Sequence, residues 1–310
     1  MKEGNIRQEQ EFFKALARKN LRNLTCSKET ANRSLPYKIM GLLKLEVFEC
    51  YNCKDLSLIT LLKKNPKIKN LRFRLRSQLS KLLVQGQFPL EAMTIEFSGF
   101  KEDWMDLNFG SLFRSFPNLK HIHLNLNPHL STYYGEIFAA LYPLTLESFT
   151  VDLGSFIQNI FILNELTRGL KGSKDSLKQF GLATSEYSQR YAYNEFAKHF
   201  RPFLAQFSQL TILKLRIFRA TYPGVAQANQ LFQQMCHINK LRHLNLSFKF
   251  ELSSYKDLVA CANFIRFQKN LQCLVIFYDP DLTPDPQLAS NFIFNAIKEL
   301  KKLLRLELIL

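Results

Sequence analysis

Three groups of residues in this 310-residue chain have the types and spacing that chemistry needs. Cys50 and Cys53 form a single C-x-x-C pair, half of a four-ligand zinc set, and no second pair at a suitable spacing accompanies it. His121 and His123 alternate. On a strand, alternate residues share a face, so their imidazoles point the same way, with Glu96 and Asp152 expected on neighbouring strands. Two imidazoles and two carboxylates could hold a divalent ion or move protons, but an exposed polar strand face is the simpler reading. The third group is the basic run "KKNPKIKNLRFRLR" at 63–76, a candidate contact for an acidic surface or RNA through Lys63, Lys64, Lys67, Arg72, Arg74 and Arg76. A solvated helix end followed by a charged strand face explains the same run, and no RNA-binding or zinc-finger signature stands beside it. No nucleophile elbow, phosphate loop or dinucleotide turn is present, and the 11 glycines are scattered singly. The expectation is no catalytic residue, no metal site, no cofactor and no enzymatic activity.

The elements that must position these residues announce themselves by repetition. An apolar residue, two free positions, a second apolar residue, one free position and a third apolar residue recur from Leu42, Ile68, Leu90, Leu119, Leu146, Leu177, Leu210, Leu241, Leu271 and Leu303. Copies such as "LKHIHLNLN" and "LRHLNLSFK" alternate like a strand with one buried face. Segments with helical apolar spacing follow, among them 135–144, 159–170, 194–207, 228–238 and 290–304. Strand then helix, always in the same direction, builds a parallel sheet with helices over one side. Strands sit about 4.8 Å apart and packed helices about 8–10 Å, so the stack must bend with the strands inside.

This pattern resembles the leucine-rich repeat family, and repeats of this length with full helices are similar to its ribonuclease-inhibitor-like subtype. The resemblance covers residues 42–310. It implies an α/β solenoid, a horseshoe with a parallel sheet on its concave face and helices on its convex face, used inside cells as a scaffold for protein recognition. The family's ninth position, usually Asn or Cys, is kept as Cys50 and Asn127 but is Arg76, Ser98, Gly154 or Phe218 elsewhere, which breaks a side-chain ladder without breaking the repeat. Leu35, Pro36 and Ile39 are similar to the opening of an F-box. That likeness stops there, because the first repeat begins before a three-helix module fits.

The free strand positions point into the arc. The central column reads Glu46, Arg72, Thr94, His123, Thr150, Gly181, Lys214, Asn245, Val275, Glu307. The next reads Phe48, Arg74, Glu96, Asn125, Asp152, Ala183, Arg216, Ser247, Phe277, Ile309. Their signs are mixed, unlike a surface devoted to phosphates. His123, Lys214 and Arg216 are candidate partner contacts. So is a rim of tyrosines at the strand-to-helix connections, with Tyr133, Tyr134, Tyr187, Tyr191, Tyr193 and Tyr222 as the chosen members, since tyrosine is enriched at interfaces.

Charge is unevenly placed. Of 42 Lys and Arg and 26 Asp and Glu, residues 1–90 hold 19 and 7, and that third of the chain should meet an acidic partner. Residues 1–41 read as a basic helical arm, with a helix over 9–24, that caps the repeats. The last copy runs to Leu310 with no helix after it, so a neighbouring subunit, or a continuation of the gene product, is expected to cover that strand. No apolar run is long enough to span a membrane, and the six cysteines in a chain this long suit a reducing intracellular compartment, cytoplasmic or nuclear, with a mitochondrial destination left open by the basic amphipathic start. The leading expectation is a scaffold that binds protein through its concave face and tyrosine rim. The alternative is a structural subunit of a ribonucleoprotein or organellar assembly that touches RNA through its basic N-terminal third.

Overall fold

The computed structural model describes residues 22–26, 45–50, 55–97, 108–126, 132–153, 160–184, 192–217, 228–236, 238–248, 255–278 and 286–309. The chain divides into two compact units, Met1–His129 and Leu130–Leu310. The first holds strands β1 (Asn23–Cys26), β2 (Val47–Cys50), β3 (Asn70–Leu75), β4 (Ala92–Phe97) and β5 (His121–Asn125). Between them run helices α1 (Asp55–Lys64), α2 (Ser77–Leu83) and α3 (Phe109–Arg114). The second holds β6 (Ser148–Asp152), β7 (Gln179–Thr184), β8 (Ile212–Ile217), β9 (His243–Phe248), β10 (Cys273–Tyr278) and β11 (Arg305–Ile309). Its helices are α4 (Tyr134–Ala139), α5 (Ile160–Gly169), α6 (Ala192–Ala205), α7 (Ala228–Met235), α8 (Tyr255–Phe267) and α9 (Pro286–Lys298). Within each unit the strands lie side by side in chain order and are parallel.

The repeated phrase explains one repeat in both units. Its first apolar residue ends the turn before the strand, and the next two point from the strand into the core. Leu210, Leu213 and Leu215 are buried, as are Leu241, Leu244 and Leu246. Neighbouring copies pair residue for residue, Leu213 with Leu244 and Leu215 with Leu246. At the strand starts within each unit one carbonyl accepts two amides from the next copy: Lys178 N and Gln179 N reach Glu147 O at 2.8 and 3.1 Å. Apolar helix faces close the core from the other side. In the second unit the packing is largely aromatic. Phe180 of β7 meets Phe203 of α6 edge-on at 4.9 Å and stacks at 6.3 Å on Phe149 of β6. Such ring pairs contribute beyond their buried area, by about 0.5–1.5 kcal/mol each.

Two polar details fix the second unit. The buried Ser173 hydroxyl donates to Leu144 O at 3.0 Å and accepts from Leu146 N at 2.8 Å, tying one copy's turn to the next. At Gly169 the chain passes so near the end of α4 that a Cβ would lie 2.1 Å from Phe138 O, so no side chain fits there.

The structure corrects the N-terminal reading in two ways. The first copy starts at Leu45, not Leu42, because Phe48 pairs with Leu71 and Cys50 with Phe73. Phe48 is therefore fully buried and leaves the exposed column, where Glu49 stands beside Arg72 in place of Glu46. Cys50 is a buried strand residue rather than the ninth position of the phrase. Residues 23 and 24, expected at the end of a helix, begin β1 instead, and Leu24 pairs with Phe48. Leu21, Leu24 and Cys26 carry the same phrase, and the sheet thus begins ahead of Leu42.

Candidate functional site

On β3, β4, β5 and β6 one set of alternating residues is buried and the other set faces out, as in the pattern eBeBe of β5, whereas on β7 Gly181 of the outward set is buried as well. The outward set forms an open face built from three positions per strand. Its physical character follows from which residues the register places side by side.

In the first unit this face is charge-compensated. Arg74 Nη2 donates to Glu96 Oε1 across β3 and β4 at 2.5 Å, and Arg72 lies between Glu49 and Thr94 in the register. At the residue before the strand, signs alternate along the unit: Arg22, Glu46, Lys69, Glu91, Lys120. Lys69 Nζ donates to Glu91 Oε1 at 2.8 Å, and Arg22 lies 3.8 Å from Glu46. That hydrogen bond raises the Lys69 ammonium above its ordinary value and holds the Glu91 carboxyl below its own. Opposite charges on neighbouring strands favour the observed register by small amounts, and a one-copy slip would bring like charges together.

The basic run divides over this unit. Lys63 and Lys64 close the last turn of α1, where cations suit the helix dipole. Lys67 lies in the turn before β3, Arg72 and Arg74 stand on the open face, and Arg76 precedes α2. Lys67 and Arg76 flank opposite ends of a strand about 17 Å long. His121 and His123 are both exposed on the same face of β5. Among the described residues no three His, Cys, Asp or Glu side chains gather as a metal set.

The second unit's open face differs. Lys214 pairs in register with Gly181 on one side and Asn245 on the other, and Arg216 with Ala183 and Ser247. Arg242 and His243, at the start of β9, are also exposed. Just before β7 and β6, Lys178 Nζ donates to Glu147 Oε2 at 2.7 Å. Gly181 is buried because Thr150 leans over it, so that a Cβ would meet the Thr150 methyl at 2.7 Å. Beyond β9, β10 presents Cys273, Val275 and Phe277, all half-buried and none charged. On β11, Arg305 and Glu307 pair with each other, while Leu304 is 85% and Leu306 40% exposed.

The tyrosine rim is only partly in view. Tyr133 is half-buried just before α4. Tyr134 is not a rim residue: it is 2% exposed, and its hydroxyl donates to Leu153 O at 3.3 Å. Burial, with Asp152 nearby, raises its phenol above the usual range. Tyr193 falls within α6, and Tyr187, Tyr191 and Tyr222 lie outside the described residues. On the helix layer, a groove of about 470 Å³ opens between α7 and α8, lined by Gln233, Cys236, Tyr255, Val259 and Phe267. The aligned charges before each strand were missed in the sequence. Aligning the copies on Leu45 rather than Leu42 reveals them.

No family model matches the chain, and no curated protein matches it. Among solved structures, the leucine-rich repeat-containing protein LegL7 from Legionella pneumophila is similar: 90% of each chain is covered at a TM-score of 0.52, with 13% sequence identity. At that identity the likeness speaks for the fold. The fold is an α/β leucine-rich repeat solenoid, the class that the repeated phrase indicates.

Proposed function

We propose that this chain is a non-catalytic, intracellular scaffold that binds a protein partner across the open face of its sheet. One observation carries the reading. A polar, accessible row on strand after strand has no chain segment over it among the described residues, while the other face of the same strands is closed by helices. Stacked repeats of this kind present extended binding surfaces. The half-buried Tyr133 beside α4 is proposed to extend that surface, with Tyr187, Tyr191, Tyr193 and Tyr222 as further contacts. His123, Lys214 and Arg216 are the polar contacts. The exposed Leu304, just before β11, and Leu306 on it suit a neighbouring subunit in a larger assembly. No helix among the described residues is long and apolar enough to cross a membrane.

The second reading, a subunit that lies on RNA, is favoured by the excess of 19 basic over 7 acidic residues in positions 1–90. Affinity purification from the native cell, with and without nuclease, separates the two. A protein partner retained after nuclease, and lost on His123→Ala with Tyr133→Ala, supports the scaffold. Partners released by nuclease, with binding that falls steeply with salt and weakens on replacement of Arg72 and Arg76, support RNA contact instead.

A further inference from the structure

Most exposed cations on the first unit's sheet face have a carboxylate beside them, and on that ground the second unit's face is the exception. Lys214, Arg242 and His243 are exposed on adjacent strands with no partner among the described residues. The strand residues flanking Lys214 in the register are Gly181 and Asn245, neither of which can neutralise it. A surface cation without a counter-charge attracts anionic groups and steers their approach. Lys214 and Arg216 are two residues apart on one strand and therefore about 7 Å apart, the spacing of alternate side chains on an extended peptide. Two strands on from β8, about 10 Å away, the row of Cys273, Val275 and Phe277 is wholly uncharged.

Resting on the scaffold reading, we infer that the open face of β8, β9 and β10 docks an acidic segment of the protein partner that also carries an apolar anchor. Its carboxylates lie over Lys214, Arg242 and His243, and its apolar side chain lies over Val275 and Phe277. Two features favour a peptide over a nucleic acid. The small neighbours Gly181, Ala183 and Ser247 give bases nothing to stack on beside the cations. On β6, Asp152 occupies the same row as Arg216 and would repel a phosphate chain continuing across the sheet.

The test uses the full chain and three probes: a short glutamate-rich peptide containing one phenylalanine, the same peptide with serine in that place, and oligouridylate of matched charge. Fluorescence anisotropy reads binding, and thermal unfolding checks that each variant keeps its fold. Lys214→Glu with Arg242→Glu should weaken the phenylalanine peptide about tenfold or more, as loss of close charge pairs does at interfaces. Arg72→Glu should change it less than about twofold by the same scale. Val275→Ser should weaken the phenylalanine peptide and leave the serine peptide unaffected. Equal losses from Arg72→Glu and the β8–β9 reversal, or tighter binding of oligouridylate than of either peptide, would overturn the inference. A native partner lost on Tyr133→Ala with His123→Ala but retained by Lys214→Glu with Arg242→Glu also overturns it, while leaving the scaffold standing. A native partner retained by both double variants overturns the two together.

Discussion

Arg74 and Arg216 occupy the same place in their repeats, one residue past the third apolar position, and their surroundings differ. Across β4, Arg74 meets Glu96 at 2.5 Å on the adjacent strand, whereas Arg216 has the small residues Ala183 and Ser247 as register neighbours and Asp152 one strand further on. The centre of each strand repeats the contrast, with Arg72 next to Glu49 and Lys214 between Gly181 and Asn245. The first unit holds the densest basic run of the chain, yet much of its face is neutralised or carried off the sheet to a helix end and a turn. The second unit has fewer cations, and its open face leaves several of them without counter-charge. Charge density along a sequence is therefore a poor guide to charge offered by a solenoid. What counts is the residue one full repeat away, since that is the lateral neighbour.

The comparison assumes that the two regions share one kind of core and differ at the surface. Leu124→Ala in β5 and Leu246→Ala in β9, both fully buried, test that assumption. Each should cost about 2–5 kcal/mol in denaturant unfolding. A cost near zero for either would mean that its unit is not built on the repeated phrase.

A smaller effect is expected where the first unit's compensation is removed. Glu96→Gln takes the charged partner from Arg74, whose side chain is only 25% exposed and whose Nε is buried without a hydrogen bond. The loss should be about 1 kcal/mol, within the range for partly buried charged hydrogen bonds. The variant should also bind the glutamate-rich peptide where the native first unit does not. Failure of both would remove the contrast.

The rim gives a sharper pair of adjacent residues. Tyr134→Phe should cost about 1 kcal/mol by removing the buried hydrogen bond to Leu153 O, and Tyr133→Phe should leave stability unchanged.

The smallest expected effect belongs to Lys69 and Glu91, whose side chains are 58% and 45% exposed. Lys69→Ala should leave the unfolding midpoint unchanged within error, because exposed pairs are screened. A carboxyl held below its ordinary value in the folded state adds stability above its unfolded value and loses it as pH falls through the folded one. Glu91 should therefore contribute only a slight acid sensitivity, abolished in Lys69→Ala. An acid transition displaced by a full pH unit in that variant would assign the ladder a larger role than its exposure allows.

Much of the architecture is legible in the sequence because burial imposes a phrase of fixed internal spacing. Within each unit the phrases from Ile68 onward stand in the predicted register, as with Leu71 opposite Met93 and Leu274 opposite Leu306. The first fails for a simple reason. Leu42 and Leu45 are three apart and each can begin the phrase, and only contact with β3 decides that Phe48 and Cys50 are the buried pair. The strand at Asn23–Cys26 hides because its third apolar position is a cysteine and its surroundings read as a basic helix. Tyr133 and Tyr134 are indistinguishable in sequence, yet the backbone leaves the first half-buried and seats the second fully inside, against Leu153 O. The compensation of charge was hidden by the uneven spacing of the copies, which conceals lateral neighbours until the strands are aligned.

The central claim is that a missing counter-charge, rather than the number of cations, marks the binding face. Asn245→Asp tests it with one side-chain atom exchange, placing beside Lys214 the carboxylate that the first unit already has. Anisotropy with the glutamate-rich, phenylalanine-bearing peptide should show binding weakened about tenfold, the cost of cancelling one close charge contact. Unchanged affinity for that peptide would contradict the account.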